Sequence, residues 1–356
     1  MSRYLFDGHK LMYHPDRVAE YLQTGDCFPL YVEISPVGSC NHRCLFCAYD
    51  YLGHPDRRLD SDRTLGLIDE LDEGGVRSIL FAGEGEPLLH PDLGRMICRS
   101  RECGIDAGMF TNGHLLTEDL AEEILPALLF VRFSFNGGSS ENYAAIHQVS
   151  TRVYEQVIQR IEQSVRIRDR HKLGVDIGAQ YVVLPENLDC VCEAAGRLKS
   201  AGLDYFVVKP FVQQSSHQGY QMKEALSPSM LEEVFNRLEQ LQDRSFTVVI
   251  RRNAFEGYGQ RNYHHCLGTS FITAINSGGD VASCLPYWDQ SDYVYGNIYE
   301  ASFAEIWHGE KRRQIKQHIE QELEVCRVCP PNCRPHAINE YLSEIRRPTA
   351  KHVNFV

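Results

Sequence analysis

Three cysteines lie within eight residues near the start of the chain, at Cys40, Cys44 and Cys47 in the stretch CNHRCLFC. Their C-x3-C-x2-C pattern supplies three thiolates, whereas structural zinc prefers a closed tetrahedron of four ligands. His42 is the nearest candidate for a fourth zinc ligand. Closely spaced thiolates are also the usual ligands of iron–sulfur clusters, and three of them on a cubane would leave one iron open. The spacing favours an iron–sulfur centre, with zinc and chance burial of cysteines as the alternatives.

A second group of five cysteines lies in the C-terminal third of the chain, at Cys266, Cys284, Cys326, Cys329 and Cys333. The chain has 13 cysteines in all. Its first residues lack the pattern of a signal peptide, so we expect the reducing cytoplasm, where thiols stay free. Clustered thiols in that compartment indicate metal ligands, whereas the five scattered cysteines are predicted to be core residues.

Composition excludes several classes of function. The chain has 356 residues, of which 43% are hydrophobic and 24% are charged, which is typical of a soluble globular protein. No apolar run reaches the roughly 18 to 20 residues of a membrane helix. The formal net charge is -12, which argues against nucleic acid as a partner. We therefore expect neither a membrane nor a nucleic-acid partner.

Short apolar segments alternate with longer amphipathic segments between residue 30 and about residue 212. The predicted strands are 31–35, 77–82, 105–111, 129–135, 177–183 and 203–209. The alternation predicts a parallel sheet with helical crossovers, either open or curved into a barrel. Both architectures place chemistry on the loops that follow the strands. CNHRCLFC follows the first predicted strand, AGEGEP the second, TNG the third and NGG the fourth, so we expect these loops to form one site.

The character of the sequence divides the chain into five predicted parts. These are an N-terminal extension (1–29), the β/α domain (30–215), a helical linker (216–259), a small cysteine-bearing domain (260–340) and a C-terminal tail (341–356).

The cysteine loop, with an aromatic residue before its last cysteine and its place after the first strand of a β/α domain, resembles the radical S-adenosylmethionine (SAM) superfamily. The second loop, AGEGEPLLHPDL, resembles the Gly-Gly-Glu-Pro motif of that family. Gly85, Glu86 and Pro87 match the motif, and Glu84 stands where its first glycine is usual. The resemblance implies a partial (β/α)6 TIM-like barrel in the class of α/β folds.

The resemblance also implies roles for individual residues. Cys40, Cys44 and Cys47 would hold a [4Fe-4S] cluster whose open iron is chelated by S-adenosylmethionine. Gly85 and Glu86 would receive the amine of its methionyl group. Phe46 would lie against the adenine, while Ser134 and, more weakly, Asn112 would lie near the ribose and carboxylate. The reduced cluster would then cleave S-adenosylmethionine to a 5′-deoxyadenosyl radical that removes hydrogen from an unactivated carbon.

The C-terminal cysteines resemble the twitch or SPASM extension of this superfamily, which carries auxiliary [4Fe-4S] clusters. Gly279 precedes Cys284 with the spacing G-x4-C, and five cysteines are too few for two clusters. One auxiliary [4Fe-4S] cluster is the economical interpretation, with Cys266, Cys284, Cys326 and Cys329 as ligands. This pattern is close to that of an alcohol dehydrogenase of aminoglycoside pathways in the superfamily, and a zinc ribbon is the alternative. Cys333 is left as a candidate catalytic thiol, although it could replace Cys326 or Cys329 as a ligand.

These features predict a radical SAM oxidoreductase that acts on a small polar molecule such as a sugar, cyclitol or nucleotide sugar. Oxidation would use the auxiliary cluster as electron acceptor, whereas epimerisation would use a thiol such as Cys333 to return hydrogen. The partners would be the substrate and an electron donor such as flavodoxin or ferredoxin. Modification of a peptide or protein is the main alternative, and a zinc-stabilised binding scaffold is the non-enzymatic one. Lys209, Gln213 and Gln214 are placed to face a ligand, although a structural role fits them equally well.

Overall fold

The structure is a computed structural model that describes residues 4, 9–212, 219–222, 225–256, 261–330 and 333–355. The predicted ligand-facing residues Gln213 and Gln214 lie outside the described residues.

Ten strands form one open sheet in the order β10-β9-β8-β1-β2-β3-β4-β5-β6-β7. The strands are β1 (Tyr31–Ile34), β2 (Ser78–Phe81), β3 (Asp106–Thr111), β4 (Leu128–Ser134), β5 (Asp176–Val183), β6 (Tyr205–Pro210), β7 (Thr247–Ile250), β8 (Ile272–Ile275), β9 (Asp280–Ala282) and β10 (Val294–Asn297). Neighbouring strands from β8 through β1 and on to β7 pair parallel. Strand β9 pairs antiparallel with both β8 and β10. All six predicted strands are confirmed as parallel neighbours, and the partial barrel with a smaller C-terminal unit is confirmed with them.

Helices cover the outside of the sheet. They are α1 (Pro15–Thr24), α2 (Ser61–Glu73), α3 (Leu93–Glu102), α4 (Glu118–Ile124), α5 (Ser140–His147), α6 (Arg152–His171), α7 (Val191–Ser200), α8 (Pro228–Glu239), α9 (Arg252–Glu256), α10 (Phe303–Trp307), α11 (Glu310–Gln321), α12 (Val325–Val328) and α13 (His336–Arg346). Side-chain caps fix where several of them begin, as at Asp60 before α2 and Thr117 before α4. None of the helices in the described segments is long and apolar enough to cross a membrane.

The two faces of the parallel strands differ in chemistry. Val32 and Ile34 of β1 and Val208 of β6 belong to the main hydrophobic core, which the helices cover. Because successive strand residues point to opposite faces, the residues between them face the concave interior of the barrel. Glu33 and Lys209 occupy such interior positions. The interior therefore carries charged side chains at these two positions, whereas the helix-facing side is apolar.

The C-terminal unit continues the same sheet. Strand β8 pairs parallel with β1, with Tyr31 opposite Ile272 and Ile34 opposite Ile275. The predicted helical linker contains α8 and also β7, which extends the sheet beyond β6. TVVI is a run of four residues rich in β-branched side chains, and such a short run at an edge gives little periodicity from which to predict a strand.

Candidate functional site

The cysteine loop follows β1 and is fixed against the end of α5. The backbone N–H of Arg43 donates to the carbonyl of His147 at 3.2 Å, and that of Leu45 donates to the carbonyl of Ile146 at 2.9 Å. Within the loop, the N–H of Cys47 donates to the carbonyl of Cys44 at 3.0 Å. These bonds attach the cysteine loop to the end of α5.

The three thiols of this loop are half-buried and lie near one another. Burial and the nearby Glu86 together raise the pKa of Cys40 to about 12. Burial likewise raises the pKa of Cys44, and the neighbouring Cys47 and Cys40 add to the effect. Thiols of this kind become thiolates when a cationic centre takes the place of the proton. The donor set therefore fits the [4Fe-4S] cluster that the spacing predicts.

His147 contacts one of these cysteines directly. Its imidazole is fully buried, and its Nδ1 lies 3.3 Å from Sγ of Cys44. The backbone N–H of Asn136 donates to Nε2 at 3.2 Å, so Nδ1 carries the ring proton and donates to the sulfur. Burial lowers the pKa of His147, which keeps the ring neutral. Sequence reasoning missed this residue, because a histidine at the end of a short helix gives no local signal of such a contact.

His42, the predicted fourth ligand for zinc, lies on the same side of the loop. Metal-binding atoms of His42, Cys44 and His147 all lie within 4.8 Å of one another. This group includes neither Cys40 nor Cys47, so the zinc alternative would leave two of the three clustered thiols unused.

Glu86 occupies the loop after β2, beside the cysteines. Its carboxylate accepts hydrogen bonds from Oγ1 of Thr111 at 2.5 Å, from N of Asn112 at 2.7 Å and from N of Leu88 at 3.1 Å. Burial raises its pKa to about 7, against the opposing effect of these hydrogen bonds. Among the described residues no Lys, Arg or His forms an ion pair with it. A buried carboxylate of this kind suits a cationic ligand such as an amine.

Gly85 is required by the close approach of the two loops. A Cβ at this position would lie 2.1 Å from the carbonyl oxygen of Ser39 and 2.7 Å from that of Val37. The backbone N–H of Glu86 donates to the same Ser39 carbonyl at 3.0 Å. The glycine therefore lets the carboxylate loop pack against the cysteine loop.

Glu84, which replaces the usual first glycine, links this loop to the C-terminal unit. Its buried carboxylate lies 3.1 Å from Nη2 of Arg57 and accepts a hydrogen bond from the hydroxyl of Ser277. The departure from the family motif thus has a structural function.

The remaining predicted S-adenosylmethionine contacts lie around the same loops. Phe46 packs with Ile146, Val182, Leu184 and Phe211 in a small apolar cluster. Nδ2 of Asn112 donates to Oδ1 of Asn41 at 2.7 Å, which joins the loop after β3 to the cysteine loop. Ser134 ends β4 opposite Gln180. Their roles toward adenine, ribose and carboxylate stay predictions.

Four of the five C-terminal cysteines lie together. Cys266 is buried and its Sγ receives a hydrogen bond from Nδ2 of Asn339 at 3.3 Å. Burial raises the pKa of Cys333, and Cys266, Cys284 and Cys329 raise it further, which places all four thiols within electrostatic range of one another.

Cys326, one of the predicted auxiliary ligands, also lies near the group, since it raises the pKa of Cys329, but it differs from these four in its exposure. It is exposed, and its Sγ faces the carbonyl of Tyr263 at 3.8 Å. Cys333, the predicted catalytic thiol, instead lies among the other auxiliary cysteines.

A polar group in the barrel interior was missed by the sequence reasoning. Glu33 is buried at the interior face of β1, where it accepts a hydrogen bond from the hydroxyl of Tyr31 at 2.8 Å. Arg334 pairs with the same carboxylate at 2.6 Å, although it lies 301 positions away in the numbering of the chain. A charged residue inside the apolar segment YVEIS was the available signal for an interior position.

The chain combines an open β/α barrel with a three-thiol loop and a buried carboxylate at the carboxyl ends of the strands. This combination fits an iron–sulfur enzyme that binds a cationic cofactor. Residues 34–198 match the model of the radical SAM superfamily, and residues 266–330 match that of the SPASM iron–sulfur cluster-binding domain. The chain belongs to the radical SAM superfamily and carries a C-terminal SPASM-type domain.

Curated relatives and solved structures agree with this family. The tungsten-containing aldehyde ferredoxin oxidoreductase cofactor-modifying protein of Pyrococcus furiosus is 24% identical over 79% of this chain and 81% of its own length. The PqqA peptide cyclase of Granulibacter bethesdensis is 24% identical over 82% of this chain and 76% of its own length. The structure of Streptococcus suis SuiB bound to S-adenosylmethionine superposes with a TM-score of 0.67 and 17% identity, covering 95% of this chain and 79% of SuiB.

Membership of the family defines the cofactors. They are S-adenosylmethionine, the [4Fe-4S] cluster that binds it and auxiliary iron–sulfur. The chemistry of the three thiols and of Glu86 fits the first two, and the four C-terminal thiols fit the third.

Proposed function

We propose that this enzyme is a radical SAM dehydrogenase that oxidises a small polar molecule held in the interior of the barrel. The observation that supports the proposal most is the position of Arg334. This residue directly follows Cys333, and its guanidinium reaches the interior to pair with Glu33. The auxiliary cysteines therefore adjoin the space in which a substrate would lie.

When bound, S-adenosylmethionine and the two iron–sulfur clusters would supply the one-electron chemistry that a two-electron oxidation of an unactivated C–H group needs. The chain itself holds and orients the reactants. Glu86 receives the amine of S-adenosylmethionine, and Gly85 permits the close packing of its loop. Polar interior side chains position the substrate, and the helix-covered apolar face of the sheet keeps them fixed.

For the auxiliary centre we propose Cys266, Cys284, Cys329 and Cys333 as ligands, with Cys326 outside the set. Iron analysis of anaerobically reconstituted protein should give about eight irons per chain, four for each [4Fe-4S] cluster. Cys333→Ala should reduce this to about four, whereas the matched variant Cys326→Ala should keep about eight. Loss of iron in Cys326→Ala with none in Cys333→Ala would reverse the assignment and free Cys333 for hydrogen transfer.

Oxidation and epimerisation differ in the source of hydrogen in the product. Candidate sugars, cyclitols and nucleotide sugars would be incubated in deuterated water with S-adenosylmethionine and dithionite, and the products analysed by mass spectrometry. A dehydrogenase should give a product two mass units lighter than its substrate with no deuterium retained at carbon. An epimerase would give a product of inverted configuration carrying one deuterium, which would overturn the proposal.

Peptide modification is a second candidate, favoured by the match to the PqqA peptide cyclase over most of the chain and by the SuiB-like fold. A precursor peptide encoded next to this gene would supply the test substrate. Formation of a cross-linked peptide in the same assay would support this second function over the first.

A further inference from the structure

We propose that Lys209 and Arg334 bind an anionic group of the substrate, a carboxylate or a phosphate, inside the barrel. This inference rests on the proposed function and names the chemical class of its substrate.

Lys209 faces the interior near the end of β6. Its neighbours Val208 and Phe206 alternate into the main core beneath the helices, so the side chain of Lys209 points to the concave face. Nζ of Lys209 forms no hydrogen bond or ion pair with any described residue. The N–H groups of this ammonium are therefore not taken up by the described residues and can be donated to a ligand.

Arg334 presents a second cation to the same space. Its ion pair with Glu33 and its hydrogen bond to the hydroxyl of Tyr31 are both made by Nη1, and its guanidinium lies over the Tyr31 ring. The side chain of Glu33 is only 5% exposed, but that of Arg334 is 40% exposed. The ion pair therefore fixes the guanidinium in position while leaving much of it accessible.

The electrostatic environment of Lys209 favours a bound anion. Burial and the nearby Arg251, Arg132 and Arg334 together lower the pKa of Lys209 to about 7, while Glu33 opposes them. These groups come from four other parts of the barrel, since Glu33 lies on β1, Arg132 on β4, Arg251 after β7 and Arg334 before α13. An anion at this point would compensate the repulsion between the cations and hold Lys209 in its charged form.

The proposed anion site and the cysteine loop share a neighbour. Glu33 and Arg334 both act on the pKa of Lys209. Tyr49 is near both the anion site and the cysteine loop. Burial and Glu33 raise the pKa of Tyr49 and Arg334 lowers it, while Cys47 of the cysteine loop also raises it. A substrate anchored at Lys209 and Arg334 would thus extend toward the first cluster.

The test measures binding of inorganic phosphate and of succinate to reconstituted full-length protein in the presence of S-adenosylmethionine, by isothermal titration calorimetry. Lys209→Met removes the charge and keeps most of the side-chain length. Lys199→Met is the matched control, because Lys199 pairs with Asp243 at 2.6 Å on the outside of the protein. At least one of the two anions should bind wild type and Lys199→Met equally and bind Lys209→Met at least tenfold more weakly. Iron content and affinity for S-adenosylmethionine should be unchanged in Lys209→Met.

Any one of three results would overturn the inference. The first is that neither anion binds wild type, and the second is that Lys209→Met binds the anions as tightly as wild type does. The third is that Lys209→Met loses affinity for S-adenosylmethionine alone. The last result would assign Lys209 to the carboxylate of the cofactor instead of the substrate. Failure of the proposed function is seen separately, as the absence of an oxidised product from wild type.

Discussion

At the scale of single residues, Glu86 is a buried carboxylate with no ion-pair partner among the described residues. Its carboxylate accepts three hydrogen bonds and has a pKa near 7 because of burial. Its folded pKa lies above the ordinary value of 4.5, so the ligand-free protein loses stability as the pH rises from about 4.5 to about 7 and the buried carboxylate ionises. A bound amine would reverse this cost, since it stabilises the ionised form.

Replacing Glu86 by Gln should therefore weaken binding of S-adenosylmethionine at least tenfold, equivalent to about 1.4 kcal/mol or more. Affinity of the wild type should also fall as the pH drops below about 7, because Glu86 becomes protonated, whereas that of Glu86→Gln should not show this dependence. Equilibrium binding at several pH values measures both effects. Glu84→Gln is the control, since Glu84 is a buried neighbour already paired with Arg57. Equal losses in the two variants would contradict the role of Glu86.

His147 leads to a second prediction at this scale. Hydrogen bonds to cluster sulfurs raise the reduction potential of iron–sulfur clusters. His147→Phe removes the N–H that donates to Cys44 and keeps a ring that can stack on Tyr143, whose centroid lies 4.0 Å away. The midpoint potential of the first cluster, followed by electron paramagnetic resonance, should become more negative. An unchanged potential in a fully loaded variant would show that the contact does not reach the cluster.

At the scale of elements, the loop after β2 joins the barrel to the C-terminal unit. Glu84 and Ser277 form its central contact, and Arg57 pairs with the same carboxylate. Losing hydrogen-bond donors costs more free energy of folding at a buried carboxylate than at an exposed one. The side chain of Arg57 is 42% exposed, so water partly screens its charge.

Removing this contact should reduce the stability of the whole chain. Glu84→Ala and Ser277→Ala should each lower the free energy of unfolding by about 1–3 kcal/mol. The double variant should lose less than the sum of the two, because both changes break the same bond. Chemical denaturation of the four proteins gives the coupling energy, and strict additivity would mean that the bond contributes nothing.

Sequence patterns predicted some elements better than others. The six central strands followed from their apolar periodicity, and the cysteine loop and Glu86 followed from motifs that are local in sequence. The pairing of β8 with β1 could not be predicted, because more than 200 residues separate the two strands and only packing brings them together. For the same reason Arg334 gave no sign that it reaches Glu33.

At the scale of the whole molecule, charge is distributed unevenly. The chain has a formal net charge of -12, yet Lys209 and Arg334 face the barrel interior with Glu33 as the acidic partner of Arg334. Overall charge therefore does not describe the interior of the barrel. Tyr49 links this interior to Cys47, and Arg334 links it to Cys333.

The central claim is that the loop containing Cys40, Cys44 and Cys47 supports reductive cleavage of S-adenosylmethionine. The most direct measurement is formation of 5′-deoxyadenosine by anaerobically reconstituted protein given S-adenosylmethionine and dithionite. Wild type should form it, and the variant with all three cysteines changed to Ala should not, while still holding about four irons at the auxiliary site. Equal formation of 5′-deoxyadenosine by the two proteins, or none by fully loaded wild type, would contradict the claim.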